Sequence, residues 1–302
     1  MSDNTQFDVR GQNYSNIILP VARQARSMLY NSVFVKSGLR GKSFYQDQIG
    51  NWEMSPKTSV NSETPQHDPN LARTRIDMKT YQDNRMFDRS LELQELADPM
   101  SVSSICVQSA VGVQLDKVIY EALGGTAYRG ETGGTSVSLG ASHTVAVDLE
   151  SSGTNTGLTV NKIRRAAKML DAKGVFTYDR TFVASATAKE QLLGTTPVTS
   201  ADYNNVRALT SGEIGTFMGF KFVFLPDGII KTDNNHIADY FAFQKTGICF
   251  GMLEALFMRM EERPDKSYSK QIYYEISCGA GRLEEDKVVR VKGDESVVVV
   301  NS

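Results

Sequence analysis

The first third of the chain has no regular hydrophobic pattern. From Ser2 to about residue 89 no apolar period of three to four is sustained, although the segment carries Phe44, Tyr45, Trp52 and Tyr81 among many charges. Such a segment cannot build its own core, because it has too little patterned apolar surface to offset the entropy of ordering. We therefore predict a long arm that neighbouring structure has to order, as in a subunit built to embrace other copies of itself.

Two elements are predicted within this arm. Residues 17–30 place Ile17, Val21 and Met28 on roughly one face, which fits either a short amphipathic helix or a fraying arm. Residues 33–81 show patchy alternation broken by glycine and proline, which favours a long β-hairpin. A mostly polar hairpin of this length is marginal unless something covers it.

The returning strand of this hairpin is predicted over residues 72–81. Its alternation puts Ile76 and Met78 on one face, and the other face carries Arg73, Arg75, Asp77 and Lys79. On an isolated subunit this row of positive charge is expected to face only water. In an assembly we expect acidic side chains of the adjacent subunit to meet it.

The strongest helical pattern follows the arm. Asp98 is a favourable N-cap, Pro99 suits the first helical position, and Gly124-Gly125 ends the helix. Its buried stripe comprises Val111, Leu115, Val118, Ile119 and Ala122. About 25 residues rising 1.5 Å each give roughly 37 Å, which is long for a globular protein and predicts a structural strut.

The rest of the sequence predicts a mixed α/β body. A strand is expected at residues 144–149, a helix at 159–173 and a strand at 181–184, and Thr187-Ala188-Lys189-Glu190 matches a capping box for a short helix. A helical turn near residues 201–209 precedes a strand in which Phe220, Phe222 and Phe224 alternate, ending at Pro226-Asp227-Gly228. The closing strands are expected at residues 239–243, 256–259, 269–277 and 287–291.

Composition narrows the classes of protein. A chain of 302 residues, 40% hydrophobic and 23% charged, can bury a full core, and a formal charge of −2 gives no sign of a nucleic-acid binder. Cys106, Cys249 and Cys278 have no C-x-x-C spacing and are expected as buried, reduced thiols. The polar amino terminus carries no secretory signal, and no apolar run is long enough to span a bilayer.

A search for chemistry finds no local motif. Gly38-Leu39-Arg40-Gly41-Lys42-Ser43 resembles the end of a phosphate-binding loop but has Lys36 where that motif needs glycine. His67, His143 and His236 are too scattered for a metal signature, and no serine lies in a G-x-S-x-G elbow. We predict no metal, no cofactor and no catalytic site.

The acidic clusters are read as solvated turns between strands rather than as paired general acids and bases. They are Glu261-Glu262 and Glu284-Glu285-Asp286. Because the search finds no catalytic motif, the sequence favours a structural protein.

The succession of motifs resembles a major capsid protein of a tailed bacteriophage with the Hong-Kong-97-type shell fold, of class α+β. The resemblance rests on Asp98-Pro99, on Val206-Arg207-Ala208-Leu209 running into Gly212-Glu213-Ile214-Gly215 and Gly219-Phe220, and on Glu261-Glu262-Arg263-Pro264-Asp265-Lys266 leading to Gly279-Ala280-Gly281-Arg282. It implies an N-arm (1–32), an extended loop (33–81), a peripheral domain (82–157) with a spine helix (98–124), an axial domain (158–250) and a return to the peripheral domain (251–302).

The function implied is self-assembly, as pentamers and hexamers, into an icosahedral shell that encloses double-stranded DNA held by non-specific contact. Partners implied are a portal protein and, since no long charge-rich leader is visible, a separate scaffolding protein. The expected location is the virion capsid, assembled in the host cytoplasm. An encapsulin-like compartment for a protein cargo and a cytosolic enzyme with a site assembled from distant residues remain alternatives, separable by particle content and particle size.

Specific residues follow from this hypothesis. The candidate inter-subunit contacts are Lys42, Tyr45, Trp52, Arg73, Arg75 and Lys79. The candidate core of the spine helix is Leu115, Val118 and Ile119.

Overall fold

Three β-sheets and three α-helices make up the described part of the chain. A computed structural model describes residues 24–88, 100–150, 153–194 and 216–297, except residues 25, 58, 61, 62, 65 and 227. Most of the predicted helix at 17–30, the Asp98-Pro99 cap, the helical turn at 201–209 and the motif from Val206 to Gly215 lie outside the described residues.

The first sheet contains the hairpin and has the strand order β2-β3-β5-β6. Its strands are β2 (Ser43–Ile49), β3 (Leu71–Asp77), β5 (Ala127–Arg129) and β6 (Thr135–Val137). β2 and β3 pair antiparallel from Ser43 opposite Asp77 to Ile49 opposite Leu71, which confirms the predicted hairpin.

The returning strand is shorter than predicted. It ends at Asp77, where the Met78 amide donates to the Lys42 carbonyl over 2.9 Å, and the chain then enters a different sheet as β4 (Lys79–Phe87). Lys79 lies opposite Cys278 there, so it does not continue the row of Arg73 and Arg75.

The second sheet is built on two long strands and has the order β1-β12-β13-β4. Its other members are β1 (Phe34–Lys36), β12 (Ile248–Arg263) and β13 (Ser269–Arg282). Glu261 and Glu262 lie within β12, opposite Gln271 and Lys270, so the prediction of a turn there is wrong. The pattern Met258, Arg259, Met260, Glu261 is strand alternation, and the paired ladder carries it on to a turn at Pro264–Lys266.

The long helix α1 (Met100–Gly124) packs against β13 and spans 25 residues. Leu115, Val118 and Ile119 are buried on it, whereas Lys117 is exposed. Tyr120 and Leu123 extend the buried face toward the third sheet, where the Tyr120 hydroxyl donates to the Asp239 carbonyl over 2.7 Å. The helix therefore joins two of the three sheets.

The third sheet has six strands in the order β7-β14-β11-β8-β10-β9. They are β7 (Thr144–Val145), β8 (Arg180–Ser185), β9 (Thr216–Phe217), β10 (Phe220–Leu225), β11 (Ile237–Gln244) and β14 (Val288–Asp294). The predicted strand at 144–149 is only two residues long, because the Val147 carbonyl accepts from Thr156 across a loop instead of extending a ladder. Phe182, Phe220, Phe241 and Phe243 fill the centre of a core that is continuous with the buried face of α1.

Two further helices, α2 (Val160–Ala172) and α3 (Ala186–Leu193), pack on this sheet. Thr159 caps α2 through the Lys162 amide, as the sequence predicts. The capping box predicted from Thr187 is wrong, since the N-cap of α3 is Ser185, whose hydroxyl accepts from the Ala188 amide over 3.1 Å. β8 runs directly into α3, so the helix begins earlier in the sequence than the capping box predicts.

Candidate assembly surfaces

The distal part of the hairpin exposes large apolar side chains. Ile49 and Leu71, at the last paired position, are 65% and 67% exposed. Beyond them Trp52 is 76%, Val60 88% and Met54 99% exposed. We call this set the hairpin tip. Single exposed apolar residues are ordinary, but five on one hairpin make it a candidate interaction surface.

The charged face of the hairpin is already paired within the chain. Arg73 donates to both carboxylate oxygens of Asp47 on the opposite strand, over 2.6 and 3.1 Å. This hydrogen bond holds the pKa of the Asp47 carboxyl below its usual range. Arg75 lies 3.2 Å from Asp77 and stacks over the Tyr128 ring.

The expectation that these arginines face only water on an isolated subunit is therefore wrong. Of the six candidate contacts, the structure brings Tyr45 and Arg73 together, with the guanidinium 5.8 Å from the ring centroid. Lys42 is exposed at the base of the hairpin and Trp52 at its tip, and Lys79 belongs to the neighbouring sheet.

A close-packed joint fixes the base of the hairpin on the long-strand sheet. A Cβ atom on Gly279 would lie 2.3 Å from the Asp77 carbonyl oxygen, and one on Gly281 would lie 2.7 Å from Ile76. A Cβ on Gly251 of β12 would lie 2.3 Å from the Phe44 ring. Only glycine lets the hairpin backbone approach the two long strands this closely.

A small second core seals this joint. Phe44 and Ile76 of the hairpin are buried against Cys249 of β12 and Leu283, the residue after β13. The orientation of the hairpin base is therefore set within the subunit, whereas the tip makes no buried contact among the described residues.

The arginine that follows the joint caps the long helix. Arg282 is buried, and its guanidinium donates to the carbonyls of Leu123 and Gly125 over 3.0 and 2.7 Å and to that of Val137 over 3.0 Å. Arg290 donates to the Gly124 carbonyl over 3.1 Å. These donors satisfy carbonyls that a helix end leaves unpaired, and their charge complements the negative end of the helix dipole.

The turn after β13 carries several ion pairs and is partly solvated as predicted, since the Asp286 side chain is 50% exposed whereas that of Glu285 is 16% exposed. Glu285 pairs with Arg129 and Arg282, and Asp286 accepts from His143 over 2.9 Å and pairs with Lys173 over 3.1 Å. The His143 hydrogen bond lowers the pKa of the Asp286 carboxyl. The turn thereby links the hairpin sheet, the third sheet and α2.

The described residues offer little reactive chemistry. They contain no group of three or more metal-ligating side chains. Burial raises the pKa of the Cys249 and Cys278 thiols to about 11, so neither forms a thiolate near neutral pH. A cleft of about 180 Å³ between α1 and β13 holds Tyr274, whose hydroxyl donates to Asp83. No described helix has the length and apolarity needed to cross a membrane.

Sequence reasoning missed two kinds of residue. The glycines of the joint were visible in Gly279-Ala280-Gly281-Arg282, but their reason is a contact with a strand about 200 residues earlier, which no local pattern encodes. Asp116 and Lys162 are charged residues within helices, and both are fully buried. What could have identified them in the sequence is a charged residue at a position on the apolar side of each helix.

Comparison with known proteins identifies a family that covers nearly the whole chain. Residues 9–295 match the family model described as phage capsid protein. No curated protein sequence matches the chain significantly.

Solved structures match the fold over nearly its full length. One, described as cyanophage Pam1 capsid asymmetric unit, superposes with a TM-score of 0.73 at 13% identity and covers 98% of this chain and 100% of that one. The capsid of Ralstonia phage GP4 gives 0.72 at 12% identity, covering 97% and 98%, and a chain from Mycobacterium phage Che8 gives 0.70 at 14%, covering 97% and 99%. The chain therefore belongs to the phage capsid protein family with the Hong-Kong-97-type fold, and it is a major capsid protein, a structural shell subunit and not an enzyme.

Proposed function

We propose that the hairpin of β2 and β3 is the element by which each subunit holds its neighbour in the shell. The observation that carries the proposal is the hairpin tip, where Trp52, Met54 and Val60 are each at least 76% exposed. Covering three such side chains contributes roughly 1.5 to 3 kcal/mol each before the cost of ordering the segment. This contribution is repeated at every subunit boundary of a closed shell.

The charges of the hairpin have a different role in this proposal. Arg73 and Asp47 are exposed, and an exposed ion pair contributes about 0 to 1 kcal/mol, so it cannot dominate an interface. Pairing inside the subunit keeps the two hairpin strands in register. The apolar tip then supplies the affinity for the neighbour.

The proposal extends to the arrangement of copies. Subunits group as pentamers and hexamers, with residues 158–250 as the axial domain together with β7 and β14, which share its sheet. Residues 1–32 form the N-arm, 33–81 the extended loop, and 82–157 with 251–302, apart from β7 and β14, the peripheral domain. A fixed hairpin base and an adaptable tip allow one sequence to fit slightly different angles between neighbours.

Further partners belong to the same proposal. A separate scaffolding protein and a portal protein act during assembly in the host cytoplasm, and co-purification with precursor shells tests both. Packaged double-stranded DNA is held by confinement and non-specific contact, since 33 basic residues face 35 acidic ones. Submicromolar binding of DNA by free subunits at physiological salt, with a steep salt dependence, contradicts this.

A shortened hairpin tests the main proposal. The Gly50 amide donates to the Asn70 carbonyl over 2.7 Å, so an Asn-Gly turn can replace residues 51–69 without changing the register of β2 and β3. We expect this variant to give a folded subunit by circular dichroism. Under conditions in which the wild type forms shells, light scattering should show no closed particles.

A matched control separates the apolar tip from the length of the hairpin. Serine at Trp52, Met54 and Val60 should also prevent assembly, whereas serine at Glu53, Lys57 and Glu63 of the same segment should leave it near normal. Shells of ordinary size and stability from the variant with the shortened hairpin would contradict the proposal.

A further inference from the structure

The long helix carries a docking groove for the segment that precedes β1. Ser109, Gly112 and Asp116 follow each other at intervals of three and four residues, which places them on one face of α1. Residues 24 and 26–30 lie along this face and contact all three positions. We call residues 24 and 26–30 the strap.

Asp116 is the centre of the groove. Its carboxylate is fully buried and accepts hydrogen bonds from the Met28 and Leu29 amides, each over 3.0 Å, and from the Ser27 hydroxyl over 2.6 Å. It also accepts from the Gln24 side-chain amide. These donors are neutral and come from a single short segment, so the carboxylate recognises the strap through two backbone amides and two polar side chains.

The other two positions fix the depth of the strap. The Ser109 hydroxyl donates to the Gln24 carbonyl over 2.6 Å. A Cβ on Gly112 would lie 2.8 Å from the Ser27 nitrogen and 2.9 Å from the Arg26 carbonyl carbon, both backbone atoms that cannot swing away. Glycine within a helix costs about 1 kcal/mol relative to alanine, so its presence here has a packing reason.

The groove allows release as well as docking. Among the described residues of the strap, Leu29 is buried and the half-buried Tyr30 packs edge-on against Phe250 at 5.9 Å, whereas Arg26 and Met28 are exposed. A carboxylate is costly to bury unless its hydrogen bonds are made, but it is well solvated once water replaces the strap. Docking thus depends on these polar contacts as well as on Leu29 and Tyr30, and water can replace the polar contacts if the strap leaves.

We propose that Ser109, Gly112 and Asp116 form a latch on the long helix that holds the strap and fixes the point at which the N-terminal arm leaves the subunit. The latch couples contacts of that arm to the helix and is needed for closed shells. This second half rests on the proposed function, whereas the latch itself does not.

Trypsin cleavage after the exposed Arg26 measures the latch directly in the full-length subunit. An Asp116→Asn side chain presents an amide to amide donors. We expect the fragment that begins at Ser27 to form at least about tenfold faster in this variant than in the wild type, by mass spectrometry. Lys117→Ala, on the exposed side of the same helix, should cleave at the wild-type rate.

Gly112→Ala provides a second variant in which two effects oppose each other. Helix propensity favours alanine, so a variant that acted only on the helix would protect the strap or leave it unchanged. The clash with the strap backbone predicts faster cleavage after Arg26, again by at least about tenfold. This variant remains informative if Asp116→Asn fails to fold.

The possible results test the latch and its role in shell assembly separately. Fast cleavage in the variants together with loss of closed shells supports the proposal. Cleavage at the wild-type rate in both variants overturns the latch, and fast cleavage with normal shells overturns its role in assembly. Failure of the wild type itself to form shells would instead count against the proposed function, and the cleavage result would still stand.

Discussion

Individual buried charges in this subunit are held by backbone groups as well as by opposite charges. Arg282 donates to three carbonyls around the end of α1, and the Lys162 ammonium donates to the carbonyls of Thr156, Gly157 and Lys292 over 2.6 to 3.0 Å. Burial lowers the pKa of both side chains. Each residue ties together segments that are far apart in the chain, so each should affect stability more than its position in the sequence indicates.

Arg282→Met keeps the side-chain volume but removes every hydrogen bond that the guanidinium makes. The carbonyls of Leu123, Gly125 and Val137 then stay buried without these donors, and Glu285 loses one of its cations. We expect the free energy of unfolding of the subunit to fall by roughly 3 to 5 kcal/mol in urea titrations.

Arg259→Met is the matched control for this change. Arg259 is exposed and pairs only with the exposed Glu261 among its described contacts, so we expect a loss below about 1 kcal/mol. Equal losses in the two variants would show that the helix cap contributes nothing beyond an ordinary surface pair.

Lys162 should make stability depend on pH in an alkaline window. Burial lowers its pKa from 10.5 to about 8, so the unfolded chain binds more protons than the folded one between these values. The free energy of unfolding therefore gains a contribution that rises as pH increases through this window and is absent below about pH 8.

Lys162→Met removes that contribution, and other groups cancel in the difference between the two proteins. Between about pH 8 and pH 10 we expect the wild type to gain roughly 1 to 3 kcal/mol over the variant. A difference that stays constant over this range would mean that the lysine keeps its ordinary pKa in the fold.

At the scale of elements, the sequence correctly predicted features that depend only on residues close to one another in the chain. The helical stripe of Leu115, Val118 and Ile119, the cap at Thr159 and the alternation of Phe220 and Phe222 all have periods that one segment carries by itself. Two of the errors came where distant strands decide the outcome. β12 continues through Glu261 and Glu262 because β13 pairs with it, and β3 ends at Asp77 because the chain from Lys79 onward pairs with β13 instead of β2.

The joint between the hairpin and the long strands should be sensitive to a single methyl group. In Gly279→Ala the added Cβ would lie 2.3 Å from the Asp77 carbonyl oxygen, which forces the hairpin base away from β13. We expect the amides of β2 and β3 to exchange with deuterium at least about tenfold faster, with smaller changes in the third sheet.

Gly134→Ala is the control for this substitution. A Cβ there would meet only the Thr132 side chain at 3.7 Å, an ordinary contact. If the two variants protected β2 and β3 equally, the close approach at Gly279 would have no energetic consequence.

At the scale of the whole molecule, the order of parts in the sequence was enough to indicate a shell subunit. Residues 9–295 match the phage capsid family model, and the long helix and mixed body belong to a fold that solved phage capsid chains share. The way in which the subunit contacts its neighbours was harder to predict. The sequence shows the arginines of β3 but not which residues pair with them in the fold. Exposure of the hairpin tip emerged only from the folded subunit.

Trp52 allows the central claim to be measured directly. It is the only tryptophan in the chain, and it lies at the exposed hairpin tip. Its fluorescence in free subunits should be that of a water-exposed indole, readily quenched by acrylamide. In assembled shells the account predicts a shift to shorter wavelength and loss of quenching, because a neighbouring subunit covers the ring. Equal emission and equal quenching in subunits and in closed shells would contradict the claim that the hairpin tip holds the neighbour.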